Sequence, residues 1–171
     1  MIKVLQITLE SPDWQAFVTH LKAENDARWV LDDQEQPKGP SLIFLAGIVD
    51  GEVVGSLTLA RQAIISPLTD WAADRDRSLR DELGHPLYET LVQTFRVVES
   101  HRRQGIGRAM QEKALAVTRD LDCIQMRSWS SLDAEANYRL KLSLGFGFHP
   151  EIQETPGGLL VSGGYFVKRV D

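Results

Sequence analysis

Apolar and polar positions along the chain follow two periods, one of strands and one of helices. Ile2 to Thr8 reads as a short strand. Ser11-Pro12-Asp13 then marks a helix start, with Ser11 as N-cap and Pro12 at the first helical position, and Trp14, Phe17, Val18 and Leu21 recur at helical spacing. Asp32 to Gly39 is polar and reads as a loop. Two apolar, β-prone runs follow, Leu42 to Val49 and Val53 to Ala60, with Asp50-Gly51 between them, a strong short-range signal for a hairpin. Tyr88 to Val98 reads as a strand. Arg108 to Asp120 contains no Gly or Pro and reads as a helix. Cys123 to Trp129 is a further strand. Asp133 to Leu144 is a helix that starts near Ser131 or Leu132 and is ended by Gly145. Phe146 to Gln153 and Leu159 to Val170 close the chain as a hairpin around Pro156-Gly157-Gly158. The order β-α-loop-β-β-insert-β-α-β-α-β-β predicts an α/β protein, a mixed sheet flanked by helices. No break marks a second domain, so residues 1–171 read as one domain.

One segment breaks the pattern. The insert at about residues 64–87 holds Pro67, Trp71, the charged run Asp74-Arg75-Asp76-Arg77 and Gly84-His85-Pro86. A short helix is expected near Asp74 to Leu83. The segment is long for a hairpin connection, and long loops in compact domains often act as lids.

Bulk numbers narrow the function classes. A chain of 171 residues suits one domain with a full core. Hydrophobic content of 43% and charged content of 25% are ordinary for a soluble protein. The net charge of -5 argues against a general nucleic-acid or anionic-membrane surface, so neither partner is expected. No apolar run approaches the length of a membrane span, and the first residues lack the pattern of a signal peptide, so a cytoplasmic protein is expected. The single cysteine, Cys123, excludes an internal disulfide and a cysteine-based metal site; no metal is expected, and Cys123 reads as a small buried hydrophobe.

Against this acidic background the basic cluster Arg96, His101, Arg102, Arg103 and Arg108 stands out. It lies where an apolar strand passes through a loop with Gly105 and Gly107 into the helix that follows. The first N–H groups of a helix have no partner within it, and the helix dipole adds positive potential there. Glycine removes the Cβ atoms that would hold a phosphate away. Strand, glycine loop and helix in this order predict a phosphate or pyrophosphate grip. A nucleotide-binding P-loop is disfavoured because the loop lacks the Gly-Lys-Ser/Thr ending.

These residues resemble the GCN5-related N-acetyltransferase (GNAT) superfamily. Its main signature, Gln or Arg, two residues, Gly, one residue, Gly or Ala, stands here as Arg102-Arg103-Gln104-Gly105-Ile106-Gly107, with the usual valine five residues earlier at Val97. A second landmark, a helix ending in Leu-Gly-Phe, stands as Leu144-Gly145-Phe146. The Asp-Gly hairpin and the closing hairpin also fit, so the resemblance spans nearly the whole chain outside the insert. It implies a central, mostly antiparallel sheet flanked by helices and acetyl-coenzyme A as cosubstrate. By the same resemblance the backbones of Val97, Val98, Arg103, Gln104, Gly105, Gly107 and Arg108, with Arg102 and Asn137, would hold the cofactor.

The chain departs from the family at the proton donor. Many members carry a tyrosine four residues before the Leu-Gly-Phe glycine; here that position is Lys141, and Ser143 if the register moves to Gly147-Phe148. Tyr138 lies one turn earlier, on the same helix face as Lys141 and Asn137. Tyr138 or Lys141 would be the acid, or none is needed, since a thiolate is a tolerable leaving group. Several relatives use a glutamate on the strand before the glycine loop as base, and Glu89 lies on that strand. It shares parity with Leu91, Gln93, Phe95 and Val97, so one sheet face holds all five unless a bulge intervenes. Glu89 is expected at the open end of the sheet, with the insert covering it; Asp70, Asp74 and Glu82 would add negative charge near a cationic acceptor. The implied activity is acetyl transfer from acetyl-coenzyme A to a primary amine of a small molecule or peptide. The alternative is a non-catalytic acyl-coenzyme A-binding sensor of the same fold. The acceptor is not legible, nor is whether two copies form a homodimer through their last strands, as some relatives do.

Overall fold

The computed structural model describes residues 1–65, 78–155 and 157–170. The elements run β1 (Ile2–Ile7), α1 (Trp14–Ala23), α2 (Ala27–Val30), β2 (Leu42–Val49), β3 (Glu52–Ala63), β4 (Tyr88–Val97), α3 (Ile106–Asp120), β5 (Gln125–Ser131), α4 (Glu135–Ser143), β6 (Gly147–Glu154) and β7 (Leu160–Arg169). The strands form a seven-stranded sheet in the order β1-β2-β3-β4-β5-β7-β6. Neighbours are antiparallel except β4 and β5, which run parallel. Asp50 and Gly51 both take positive φ, 51° and 88°, which suits the right-handed twist of the β2–β3 hairpin they connect.

Each sheet face has its own core. Residues of α1, α2 and the 31–42 stretch pack on Ile7, Phe44, Ala46, Ile48 and Val53. On the other face α3 lays Ile106, Met110, Ala114, Leu115 and Val117 on Leu45, Val54, Leu57, Leu59, Met126 and Phe166. The unbroken apolar run of β2 reflects burial on both sides, with Leu45 facing α3 and Phe44 and Ala46 facing α1. Close approach of α3 depends on two glycines paired across β2 and β3, Gly47 and Gly55. A Cβ on either would stand within 3 Å of the Met110 sulfur, at 2.9 and 2.8 Å.

The main departure from expectation in the strands lies in β4. Its register with β3 runs Thr58↔Thr94 and then Leu59↔Val92, so Gln93 is an extra residue, a β-bulge. The bulge reverses the parity of the strand. Thr90 bonds Thr118 of α3 and Val92 packs on the α3 core, yet beyond the bulge it is Phe95 and Val97 that pack there. Glu89 therefore does not share a face with Phe95 and Val97. It faces the α1 side, as does Arg96, which pairs with Asp26 and Glu24.

Three local expectations are corrected. Asp13, not Ser11, precedes the first helical residue. The Ser11 hydroxyl instead accepts from the Thr8 N–H at 2.9 Å and its carbonyl from the Trp14 N–H at 3.0 Å, closing a turn ahead of the helix. The short helix α2 was not foreseen. The helix expected near 74–83 falls partly outside the described residues. In the described part, Asp81 accepts from the N–H groups of Leu83 and His85 at 2.9 and 2.8 Å, and this side-chain-closed turn competes with a helix. Bridges Ile65↔Ser78 and Arg80↔Pro86 tie that stretch together.

Packing of Met110 on the paired glycines yields a stability test. Gly55→Ala should lower unfolding free energy by about 1–3 kcal/mol in urea titrations, because the new Cβ meets the Met110 sulfur and, at 3.2 Å, the Arg96 carbonyl. Met110→Ala alone should cost about 2–5 kcal/mol, but less on the Gly55→Ala background, where the sulfur is the obstruction.

Candidate active site

Backbone geometry at the end of β4 builds an anion site. A turn of 3₁₀ helix, Glu99–His101, leads into Arg102 to Gly105, where Arg103 (φ 61°) and Gly105 (φ 87°) are both left-handed. A Cβ on Gly105 would meet only Ile2, at 4.0 Å, so its backbone angle, not crowding, calls for glycine. Gly107 is different: a Cβ there would press on Phe95 at 3.3 Å and Leu140 at 3.5 Å. Gly105 caps α3 and its carbonyl accepts the first helical bond, from Ala109 at 3.0 Å. Among the described residues nothing accepts from the N–H groups of Gly105, Ile106, Gly107 or Arg108. These four donors and the helix dipole converge where α3 begins.

Side chains around this mouth divide. Arg103 is exposed. Arg102 turns back and donates from Nε to the Val97 carbonyl at 3.0 Å. Gln104 donates to the Ser100 carbonyl at 3.2 Å. Arg108 bonds the Ser143 hydroxyl at 2.7 Å, pinning the start of α3 to the end of α4. Val98, expected to offer its backbone to the cofactor, does not have it free. Its N–H donates to Val54 of β3 at 2.9 Å, and its carbonyl accepts from His101 at 2.9 Å.

A gap opens between β4 and β5. Their parallel ladder has four rungs, from Glu89↔Gln125 to Val92↔Ser128, and then stops. Beyond the vertex at Val92 and Ser128 the strands part, and α4 lies over the opening on the α3 side. Asn137, Tyr138 and Lys141 of α4 all reach β5. Asn137 donates to the Ser130 hydroxyl at 2.6 Å, and its Oδ1 is buried without a partner among the described residues. Tyr138 donates to the Ser130 carbonyl at 3.2 Å and packs edge-on against Phe166, with burial followed by Asp133 raising its phenol.

Lys141 is wholly buried, and its ammonium donates to the hydroxyl of Ser128, at the vertex itself. The rings of Phe166 and Phe146 lie 5.5 and 5.8 Å away. Among the described residues no carboxylate pairs with it. Burial pulls its pKa down to about 7.

Glu89 is not at the open end. It lies at the first rung of the ladder, three residues on the closed side of the vertex, and is fully buried. Oε1 accepts from Gln62 at 3.0 Å and from Arg127 Nε and Nη2 at 3.0 and 2.5 Å; Oε2 accepts from Gln125 at 2.8 Å. Asp70 and Asp74 fall outside the described residues, as does half of the expected lid, and Glu82 is exposed. Ser128, Ser130 and Arg127 were not singled out in the sequence. Along β5, Gln125-Met126-Arg127-Ser128-Trp129-Ser130, burial alternates although polarity does not, which gives one face to α4 and the other to Glu89.

Comparison with known proteins fits this architecture. The family model for the acetyltransferase (GNAT) family matches residues 6–146. The chain belongs to the GNAT acetyltransferase family, whose cosubstrate is acetyl-coenzyme A. No curated protein matches it significantly in sequence. Among solved structures it is similar to Arabidopsis thaliana NAA60 in complex with acetyl-CoA, with a TM-score of 0.69 and 14% identity over 99% of each chain. It also resembles a Klebsiella pneumoniae acyl-CoA N-acyltransferase, at 0.60 and 19% over 100% and 99%. A third is the ribosomal-protein-S18-alanine N-acetyltransferase of Escherichia coli, at 0.60 and 15% over 99% and 94%. At these identities the likeness is one of fold.

The anion site has a direct test. Gly105→Glu places a Cβ-bearing residue in a left-handed position and a carboxylate at the helix mouth. Affinity for coenzyme A by calorimetry should fall at least about tenfold, about 1.4 kcal/mol. An unchanged affinity in a folded variant would remove this loop from the cofactor site.

Proposed function

We propose that this protein transfers the acetyl group of acetyl-coenzyme A to a primary amine of a small molecule or peptide, with Lys141 supplying the proton to the departing thiolate. The observation that carries this reading is the wholly buried Lys141 ammonium bonded to Ser128 where β4 and β5 part.

The cosubstrate fits what the chain offers. The free N–H groups from Gly105 to Arg108 suit the pyrophosphate, with Arg103 beside them. The pantetheine arm fills the gap between the strands, where the Val97 N–H and the Asn137 Oδ1, unpartnered among the described residues, meet its amides. This puts the thioester at the vertex. Attack by a neutral amine forms the C–N bond and expels the thiolate, which takes a proton from Lys141 through the Ser128 hydroxyl. An acid with a pKa near the working pH gives up its proton readily and is refilled readily. Tyr138 is committed to the Ser130 carbonyl and serves to hold α4 on β5. Glu89, with its oxygens engaged by four donors, anchors Arg127; the amine's proton leaves to water.

Substitution separates these roles. Lys141→Met should cut turnover by about 10²-fold or more, measured as free thiol released with a panel of amines. Lys141→Arg should be equally slow, because arginine keeps the charge and does not release the proton. Wild-type turnover should fall as pH rises through about 7, where Lys141 loses its proton, and Lys141→Met should lack that limb. Tyr138→Phe, and Glu89→Gln at saturating amine, should retain turnover within a few-fold if folded. Cofactor binding without thiol release for any amine would favour the sensor reading instead.

Lys141→Met should also raise the melting temperature. A lysine whose pKa is lowered from 10.5 to about 7 on folding is protonated in the unfolded chain and not in the folded one between those values. Its contribution to stability therefore rises with pH across that window and is least favourable below it. The methionine variant should lose that slope and be more stable at pH 7, a gain that accompanies loss of activity.

A further inference from the structure

On the sheet face opposite α3 and α4, one residue before the vertex, Arg127 is held by Glu89 and Tyr165 and left open on one edge. Its Nε and Nη2 donate side-on to Oε1 of Glu89, which Gln62 and Gln125 lock in place. Its guanidinium stacks on the ring of Tyr165 at 4.8 Å, and Gln153 donates to the Tyr165 hydroxyl at 3.0 Å. The end-on edge, formed by Nη1 and the second hydrogen of Nη2, meets no acceptor among the described residues, and 30% of the side chain is exposed. Two positions on, Trp129 shares this strand face, and its indole N–H is buried without a partner. Among the described residues neither the end-on edge of Arg127 nor the Trp129 N–H, two positions apart on this strand face, meets an acceptor.

We infer that Arg127 and Trp129 form an acceptor subsite for a carboxylate, so that the acetylated amine belongs to an amino acid-like molecule carrying a carboxylate near its nitrogen. This rests on the transfer reading and names its acceptor class. The fork is fixed before the ligand arrives, because Glu89 and Tyr165 have already ordered the arginine, and a planar carboxylate matches its end-on pair of N–H groups. The location fits, since Arg127 pairs with Leu91 beside the rung where the ladder ends. Glu89 is thereby a positioning residue, acting on the substrate through Arg127.

The test compares matched sets of amino acid, its carboxamide and the decarboxylated amine, spanning α-, β- and γ-amino acids, in the thiol-release assay with acetyl-coenzyme A. The carboxylate member should be preferred in kcat/KM by about tenfold or more over the other two. Arg127→Lys keeps a cation beside Glu89 and so keeps the fold, but removes the fork. It should raise KM for the carboxylate member about tenfold and leave the decarboxylated amine nearly unchanged. Equal use of the three members by the wild type, equal use of acid and carboxamide, or a preference that survives Arg127→Lys would overturn the subsite. Thiol release with no amine at all would overturn the transfer reading instead. The subsite is then decided by titrating the coenzyme A complex with N-acetylglycine and N-acetylglycinamide while following the ¹⁵N indole signal of Trp129, identified by its loss in Trp129→Phe. A shift with the acid alone supports the subsite; no shift, or the same shift with both, overturns it.

Discussion

The parting of β4 and β5 is the constraint on which the rest of this structure depends. Two parallel strands joined for four rungs and then released leave a wedge in the middle of a sheet, where neither edge faces water freely or finds a strand. Backbone groups in such a place need partners. Part of the demand is met from within, by Tyr138 on the Ser130 carbonyl and by Arg102 on that of Val97. The rest suits an extended ligand with amides of its own. The bulge at Gln93 sits next to the last rung, and a bulge bends its strand and sharpens its twist. It also lets β4 show Thr90 and Val92 to α3 before it and Phe95 and Val97 after it. Floor and walls of the gap thus come from one local insertion.

Charge is buried on both sides of this wedge, and the two sides solve the problem differently. On the α1 side Glu89 and Arg127 neutralise each other and two glutamines complete the carboxylate's bonds. Breaking such a pair by removing one partner costs far more than the pair contributes, which makes the network rigid. On the α4 side Lys141 has a hydroxyl and two aromatic rings and, among the described residues, no anion. Desolvation is uncompensated there, and the group answers by giving up its proton more easily. A methionine would fill the same place in the core without that cost.

α3 links the two halves of the site. Its first turn offers the unpartnered N–H groups, and its position is set by Met110 on the bare backbone of Gly47 and Gly55 and by Gly107 against Phe95. The glycines of β2 and β3 therefore act on the site at a distance, by setting how near the helix mouth lies to the wedge.

Much of this could be read from residue order. The strands and the three long helices follow from hydrophobic period, because burial on one or two faces imposes that period whatever the neighbours are. The Asp50-Gly51 hairpin and the Gly105 helix start are set by local backbone energetics, so the sequence determined them alone. Lys141 was marked by its place before Gly145. Tertiary structure decided what depends on register and on partners distant in the chain. A single bulge, invisible in composition, moved Glu89 to the other face and away from Phe95 and Val97. The partners of Glu89, namely Gln62, Gln125 and Arg127, lie 27 to 38 residues away in the chain. Whether Lys141 was solvated or buried was settled by Ser128 on β5 and by Phe146 and Phe166 beyond the helix end. Local energetics specify elements. The chemistry of an ionisable group is specified by the dielectric and donors around it, and those exist only once the strands have found their register.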